Sequence, residues 1–262
     1  MPDQWIETPG FATRYRMESR CDGPVLVLVH EMGGTLESFD PVIGQLDRPV
    51  LRYDMRGFGL ASKAVKVQQM SGLGTDLVAL LDALQIAGPC DIAGVAVGGA
   101  VALHVAAHHP GRVRSVFATS PVTGIAGDRR PGLLELADRM EADGLAPLAD
   151  SWLATGWPER QRTDPALFAA YRARWLGNDP RSFAATYRML ATLGMEDDLP
   201  RIACPAMIVG ARQDAFRPAE AVRKAAGLIP GATYCEVDGG HFLPLQQPQL
   251  YADLLAGWLT RR

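Results

Sequence analysis

The chain has 262 residues and a formal net charge of −3, with 48% hydrophobic and 21% charged residues. This length suits one large α/β domain, and the composition is that of an ordinary globular protein. The weak negative charge and the lack of a basic stripe with interleaved aromatic residues argue against nucleic-acid binding, and no apolar run is long enough to span a bilayer.

The N-terminal residues and the cysteines bear on cellular location. Residues 1–10 lack a basic segment followed by an apolar run, so we expect no signal peptide. The four cysteines lie far apart without a CxxC pair, which predicts reduced thiols and no metal site: Cys21, Cys90, Cys204 and Cys235. We expect a cytoplasmic protein with a small-molecule substrate, no cofactor, no metal, and no nucleic-acid or membrane partner. The sequence leaves the oligomeric state open.

Along the chain, short apolar runs rich in Val and Ile alternate with helical patterns, which predicts βαβ units around a mostly parallel sheet. Extended segments near 5–8 and 12–18 predict an antiparallel hairpin around Pro9-Gly10. Further strands are predicted at 25–30, 50–53, 90–94, 113–119, 206–210 and 233–237, and helices at 73–85, 98–109, 219–228 and 249–260. The expected fold is an eight-stranded α/β sheet with helices on both faces.

The alternation of strands and helices stops after Ser120-Pro121. From Pro131 to Leu199 the pattern is that of amphipathic helices, for instance 133–142 and 166–176. An insertion at this point lies over the carboxyl ends of the strands, where α/β proteins bind ligands. We therefore expect a helical lid at 121–199, inserted after the sixth strand into a core formed by 1–120 and 200–262.

The segment Gly94-Val95-Ala96-Val97-Gly98 follows a predicted strand and opens a predicted helix. This context is typical of the G-x-S-x-G nucleophile elbow, whose glycines permit a strained turn and a close strand–helix approach. Both glycines are in place, but the middle residue is Ala96. The alternatives are an ordinary glycine-rich βα turn and a dinucleotide-binding loop. The second would need GxGxxG near the first strand and an acidic residue about 20 residues later, and the sequence has neither.

The loop His30-Glu31-Met32-Gly33-Gly34 follows the predicted strand 25–30. In lipase-like folds, this loop supplies one oxyanion-hole N–H and the residue after the nucleophile supplies the other. That geometry predicts that the backbone amides of Met32 and Val97 form the oxyanion hole. His30 and Glu31 are possible pocket residues. Glu31 either faces solvent or pairs with an arginine such as Arg56, or it is a carboxylate at the pocket mouth that acts as acid or base.

Two later strands end in residues suited to acid–base chemistry. Asp214 follows the strand 206–210, and His241 follows 233–237 and a Gly239-Gly240 turn. The order of elbow, acid and base is that of the α/β-hydrolase triad. A lone loop histidine is usually structural, but these signals in this order favour catalysis. Asp238 is a competing acid whose position, three residues before His241, suits a turn.

These motifs make the chain similar to the α/β-hydrolase superfamily over its whole length, and within it the chain resembles the 3-oxoadipate enol-lactonase-like group. The resemblance extends to Arg52-Tyr53-Asp54-Met55-Arg56-Gly57-Phe58-Gly59, to 204–210 and to Gln247-Pro248. It implies a hydrolase for a small ester, enol lactone or keto/enol acid with a Ser-His-Asp site. The family implies serine at position 96, and this chain departs from it there.

Alanine has no hydroxyl, so no acyl-enzyme forms at position 96. Loss of such a nucleophile costs roughly 10⁶ in kcat in subtilisin. Three explanations remain open: an engineered Ser→Ala substrate-trapping variant, a natural enzyme, or a catalytically silent binding protein. In the natural enzyme, His241–Asp214 is a general base for attack by water, or for C–C cleavage, decarboxylation or tautomerisation.

Two further groups of residues are candidates for ligand binding. His104 and His108 are spaced i, i+4 on a predicted helix, but this helix runs away from the pocket and no third ligand is evident, so we interpret them as structural. Lid arginines are candidates to clamp an anion, but pairing on helix surfaces is the simpler interpretation: Arg139, Arg172, Arg174, Arg181 and Arg188.

Overall fold

The computed structural model describes residues 2–19, 22–64, 66 and 68–261. These contain the strands β1 (Gln4–Thr8), β2 (Phe11–Glu18), β3 (Leu26–Val29), β4 (Val50–Tyr53), β5 (Cys90–Val95), β6 (Val113–Thr119), β7 (Ala206–Ala211) and β8 (Thr233–Val237). They form one sheet in the order β1-β2-β4-β3-β5-β6-β7-β8. The pairs β1–β2 and β2–β4 are antiparallel and the others are parallel. The predicted eight-stranded, mostly parallel sheet is confirmed.

The helices of the described residues are α1 (Asp40–Ile43), α2 (Met70–Ala83), α3 (Val97–His108), α4 (Arg130–Asp143), α5 (Ala149–Gly156), α6 (Pro165–Leu176), α7 (Pro180–Thr192), α8 (Ala219–Ala226), α9 (Leu243–Gln246) and α10 (Pro248–Leu259). None of them is long and apolar enough to cross a membrane. Cys90, Cys204 and Cys235 are free thiols, and Cys21 lies outside the described residues.

The sheet is covered by apolar side chains on both faces. In β3, Leu26 and Leu28 pack into the cluster that includes α1 and α10, whereas Val27 and Val29 pack into the cluster that includes α2 and α3. Successive strand residues point to opposite faces, so a continuous apolar run is what a strand buried on both faces requires. This double burial fixes β3, β5 and the turns at their carboxyl ends.

Helices α4–α7 lie between β6 and β7 in the chain. No strand occurs between Pro131 and Leu199, where only Gly194 forms an isolated bridge, to Gly124. Helices α4 and α7 pack against each other. We keep the name lid for residues 121–199, and their separation from the core as a unit stays a prediction.

Candidate active site

The turn from β5 into α3 holds Ala96 in an unusual conformation, with φ 51° and ψ −109°. For a residue other than glycine such a conformation costs about 1–3 kcal/mol. The flanking glycines explain how the turn fits. A Cβ atom on Gly98 would lie 2.1 Å from the carbonyl oxygen of Val29, and one on Gly94 would lie 2.3 Å from the carbonyl oxygen of Gly98. The strained elbow geometry is therefore present although its central side chain is a methyl group.

His241 and Asp214, which follow β8 and β7, are in direct contact. His241 Nδ1 lies 2.7 Å from Asp214 Oδ2. The other carboxylate oxygen, Oδ1, accepts hydrogen bonds of 2.9 Å from the backbone N–H groups of Phe216 and Arg217. Because the carboxylate accepts a hydrogen bond from the Nδ1–H group, the neutral imidazole carries its lone pair on Nε2. This is the arrangement of an oriented general base.

Asp214 is held as a carboxylate. Burial alone would raise its pKa, but the charge of His241 and the hydrogen bonds from His241, Ser120 and the Arg217 backbone lower the pKa below the usual value of 3.8. The ionised carboxylate then stabilises the imidazolium that forms when Nε2 takes up a proton. The pair therefore combines a lone pair on Nε2 with a fixed negative charge on the opposite side of the ring.

Two backbone amides near the elbow are free to bind a ligand. The N–H groups of Met32 and Val97 have no hydrogen-bond partner among the described residues, and these residues are only 8% and 2% exposed. Buried backbone N–H groups in folded proteins are nearly always paired. Val97 is also the first residue of α3, where the helix dipole favours a negative charge. Both donors can therefore stabilise a ligand oxygen.

A cavity of about 210 Å³ brings these groups together. Cavities of about 150 Å³ already hold a benzene ring. Met32, Ala96, Val97 and His241 line it. These four residues were predicted from three separate motifs, and Asp214 bonds to His241. The rest of the wall comes from the lid and from the loop after β7: Val122, Ile125, Arg129, Leu133, Leu136, Trp152, Tyr187, Leu190, Phe216 and Arg217.

His30 does not line this cavity. Its Nδ1 lies 2.7 Å from the carbonyl oxygen of Glu31, and its Nε2 accepts a hydrogen bond of 2.9 Å from the backbone N–H of Met55. With both ring nitrogens engaged and the side chain fully buried, His30 fastens the loop after β3 to the segment after β4. It thereby positions the Met32 amide.

Glu31 also lies away from the cavity wall. It is 1% exposed, and its Oε1 accepts a 2.8 Å hydrogen bond from the hydroxyl of Ser38. Arg56 pairs with Asp76 instead. The interpretation that Glu31 faces solvent or pairs with Arg56 is therefore wrong, because the carboxylate is buried and bonds to Ser38.

The motif analysis missed two arginines at the cavity, Arg129 and Arg217. Arg217 donates a 3.0 Å hydrogen bond to the carbonyl oxygen of Gly124, and neither guanidinium forms an ion pair with a carboxylate of the described residues. Burial lowers the pKa of Arg217 to about 10, with the Asp214 charge opposing and the Arg129 charge adding to this shift. Arg217 therefore remains a cation at neutral pH. Its position three residues after Asp214 was the available sequence signal.

Comparison with known proteins agrees with this geometry. A family model described as "Alpha/beta hydrolase family" matches residues 26–254. The chain is 25% identical to 3-oxoadipate enol-lactonase 2 of Acinetobacter baylyi over 244 residues, covering 92% of this chain and 90% of that protein. It is 29% identical to the magnesium-chelatase 30 kDa subunit of Rhodobacter capsulatus over 257 residues, covering 91% and 87%.

The fold also matches solved structures. The crystal structure of the enol-lactonase from Burkholderia xenovorans LB400 superposes with a TM-score of 0.92 at 23% identity, covering 98% of this chain and all of that one. A thermophilic esterase from Thermogutta terrifontis gives a TM-score of 0.89 at 23% identity, covering 100% of this chain and 99% of that one. The resemblance to the enol-lactonase-like group, stated from the motifs, is confirmed.

Proposed function

The chain belongs to the alpha/beta hydrolase family, and from this premise we propose that it acts on a small carboxylate-bearing ester or enol lactone, with His241–Asp214 as general base. The observation that carries the proposal is that the lone-pair nitrogen of an oriented histidine and two unpartnered buried amides, of Met32 and Val97, share one cavity. Base and oxyanion donors are the parts that acyl hydrolysis requires. The curated enol-lactonase relative is named for hydrolysis of this kind.

With a methyl group at position 96, the attacking nucleophile is water. His241 Nε2 takes a proton from a water molecule as the water oxygen attacks the substrate carbonyl carbon. The amides of Met32 and Val97 hold the resulting oxyanion. When the tetrahedral intermediate collapses, the bond to the leaving oxygen breaks and the imidazolium returns its proton to that oxygen. Acid and alcohol or enol leave without an acyl-enzyme.

The proposed substrate class is supported by the cations at the cavity, above all by Arg217, whose guanidinium is desolvated by burial, whereas Arg129 is exposed. Arg217 and Arg129 stand beside a wall formed by Leu133, Leu136 and Trp152. A desolvated guanidinium without a carboxylate partner is stabilised by an anionic ligand, and charge-assisted hydrogen bonds of this kind contribute about 1.5–3 kcal/mol. A compact substrate with one carboxylate and an apolar remainder would pair with the guanidinium through the carboxylate and contact the apolar wall with the rest of the molecule.

The same residues also serve a reaction that needs no nucleophile. Ala96 leaves His241 without a hydroxyl partner, so Nε2 is free to take a proton from a keto or enol acid, and the two amides would then hold an enolate. Tautomerisation, C–C cleavage and decarboxylation are the reactions of this second candidate. They differ from hydrolysis in their products and in not consuming water.

The decisive assay is a panel of esters, enol lactones and keto acids, each with and without a carboxylate, with products identified by mass spectrometry. We expect turnover by the parent protein, incorporation of ¹⁸O from labelled water for hydrolysis, and loss of at least 10³-fold in kcat for His241→Gln. Turnover that His241→Gln leaves unchanged would refute the proposed base. Saturable binding of the acids without turnover of any compound would instead identify a binding protein.

Arg217→Met tests the substrate class separately. The expected result is a KM increase of roughly 10–100-fold for the carboxylate-bearing substrate and little change for its neutral methyl ester, since only the first uses the charge. Arg172→Met is a matched control, because Arg172 pairs with Asp150 on the lid surface. Equal effects of Arg217→Met on both substrates would contradict the assignment of an anion site.

A further inference from the structure

Three metal-ligating side chains meet on the far side of α3 from the elbow. His104 and His108 lie one helical turn apart on α3, and Asp198, near the end of the lid, precedes the short 3-10 turn Leu199–Arg201. Asp198 Oδ2 lies 3.4 Å from His104 Nδ1, and Asp198 Oδ1 lies 2.8 Å from His108 Nε2. One candidate ligand atom from each residue falls within 4.8 Å of the other two.

The spacing of these atoms suits a small divalent ion. Around tetrahedral Zn²⁺, with ligand bonds of about 2.0–2.2 Å, neighbouring ligand atoms stand about 3.3 Å apart. Two imidazole nitrogens and one carboxylate oxygen are also a common zinc ligand set, and the ion prefers them over the all-oxygen sets of Mg²⁺ and Ca²⁺. The two rings lie with their centroids 4.3 Å apart and their planes at 33°, and one nitrogen of each ring faces a different carboxylate oxygen of Asp198.

We propose that His104, His108 and Asp198 bind one divalent transition-metal ion, Zn²⁺ by their ligand type, with a remaining coordination position open to water. The site has a path for entry, because the side chains of His108 and Asp198 are 31% and 21% exposed. In the metal-free protein, Asp198 accepts hydrogen bonds from the imidazoles, and the ion replaces the protons in these bonds.

The packing of α2 makes room for the buried ligand. A Cβ atom on Gly74, in the interior of α2, would lie 2.7 Å from His104 Cδ2. Glycine is disfavoured in a helix interior, because it loses more conformational freedom on folding than alanine does. The missing side chain of Gly74 therefore leaves room against α2 for the imidazole of His104, whose Nδ1 lies 3.4 Å from Asp198 Oδ2.

The position of the site indicates a structural role for the ion. His104 lies eight residues along α3 from Ala96, which is about 12 Å of helix, and none of the three ligands lines the cavity. Asp198 stands where the chain returns from the lid, and the N–H of nearby Met195 bonds to the carbonyl oxygen of Thr123 at the start of the lid. A bound ion would therefore link the C-terminal end of the lid, at Asp198, to the core helix α3, and it would not act on a substrate.

Competition with a chromophoric chelator measures the site directly. The protein, free of any histidine tag, is stripped with EDTA, desalted and titrated with ZnCl₂. We expect one equivalent to bind to the parent and raise its Tm by about 5 °C at a hundredfold excess over Kd. His108→Ala should weaken binding roughly 100-fold, and Asp198→Asn at least about tenfold, while both keep the fold because the two residues are partly exposed.

Two histidine variants serve as matched controls. His109→Ala removes the next imidazole of the chain, and His241→Ala removes the imidazole of the cavity, so both should bind one equivalent with unchanged affinity. The proposal is overturned if the parent binds no Zn²⁺, if His108→Ala binds as tightly as the parent, or if His241→Ala abolishes binding, which would place the ion in the cavity.

Discussion

Ala96 combines the backbone of a nucleophile elbow with a side chain that cannot act as a nucleophile. Its φ of 51° is retained, although a methyl group gains nothing chemically from that strained position. The surrounding parts are complete, since His241 is oriented by Asp214 and the amides of Met32 and Val97 lack partners. At the scale of single residues, one hydroxyl group separates this site from a serine triad.

Replacing Ala96 by serine tests that statement. The Oγ atom of Ala96→Ser would enter the cavity that His241 lines. We expect hydrolysis of p-nitrophenyl acetate at least about 10³-fold faster than by the parent, with a burst of p-nitrophenol and labelling by a fluorophosphonate, since the nucleophile of a complete triad contributes roughly 10⁶. The double variant Ala96→Ser/His241→Gln should show no burst. An Ala96→Ser protein that folds normally yet is not labelled would mean that the cavity does not accommodate a serine triad.

The sequence predicted those site residues that follow strands, and it missed those that depend on the lid. Asp214 and His241 each come directly after a strand, and the ends of neighbouring parallel strands converge at one edge. Arg129 lies just before α4, where no strand-end motif marks it. Asp198 is 94 residues from His104. The spacing of residues within one helix or strand cannot predict a contact between side chains so far apart in the sequence.

At the scale of elements, the site depends on the contact between α3 and β3. The N-terminal turn of α3 approaches the carboxyl end of β3 so closely that a Cβ atom on Gly98 would lie 2.1 Å from Val29 O and 2.4 Å from His30 O. Both obstacles are backbone atoms, which cannot rotate away. The glycine therefore sets the distance between the amide of Val97, on the helix, and that of Met32, on the loop.

Gly98→Ala should push α3 away from β3. We expect a loss of about 3 kcal/mol or more in the free energy of unfolding, as overpacking against a rigid backbone requires. Urea denaturation followed by far-UV circular dichroism measures it. Gly72→Ala is the control, because Gly72 lies in α2 with nothing within 4 Å of its added Cβ atom, so this change should be neutral or slightly stabilising. Equal urea midpoints of unfolding for Gly98→Ala and the parent would contradict the close approach of α3 to β3.

Element types were easier to predict than element ends. The continuous apolar run of β3 and the helical pattern of the lid both gave the correct type of structure, since burial on two faces or on one helix face is visible in the local sequence. Helix α2 begins at Met70, three residues before the predicted start. Its N-cap, Gln69, makes no side-chain capping bond, so the usual sequence signal of a helix start is missing.

At the scale of the whole molecule, a buried ion network joins the edge hairpin to the rest of the sheet. Arg14 of β2 bonds to Asp54, which follows β4, to Glu37 of the segment after β3, and to Asp3. Asp54 is fully buried and also accepts hydrogen bonds from the backbone N–H groups of Leu36 and Leu60. Three parts of the chain therefore meet at one guanidinium.

Arg14→Met should destabilise the fold by about 3–5 kcal/mol, because it leaves the buried carboxylate of Asp54 without its cation. Arg16→Met is the matched control from the same strand. Arg16 also bonds to Asp3, but it is more exposed, so this variant should lose only about 0–1 kcal/mol. Chemical denaturation at pH 7 compares the two. A loss for Arg14→Met no larger than that of the control would show that the network does not hold the hairpin.

The same network predicts how stability responds to acid. Burial would raise the pKa of Glu37, but the hydroxyl of Thr35 and the guanidinium of Arg14 together lower the pKa below its usual value of 4.5. The pKa of Asp214 is likewise below its usual value of 3.8. Burial would raise this pKa, but the charge and the hydrogen bond of His241 lower it. A carboxyl whose folded pKa is depressed binds fewer protons in the folded than in the unfolded chain. The stability it contributes is therefore complete above the unfolded pKa and is lost as the pH falls through the folded pKa.

We accordingly expect the free energy of unfolding to decline below about pH 5, where the carboxyls of the unfolded chain begin to take up protons. In Arg14→Met the decline should be shallower, although the variant is less stable at pH 7. The reason is that Glu37 loses in this variant the Arg14 guanidinium, which lowers the pKa of Glu37 in the parent. Urea denaturation of the parent, Arg14→Met and Arg16→Met between pH 3.5 and 7 measures the three slopes. Parallel slopes for the parent and Arg14→Met would rule out Arg14 as a source of the acid sensitivity.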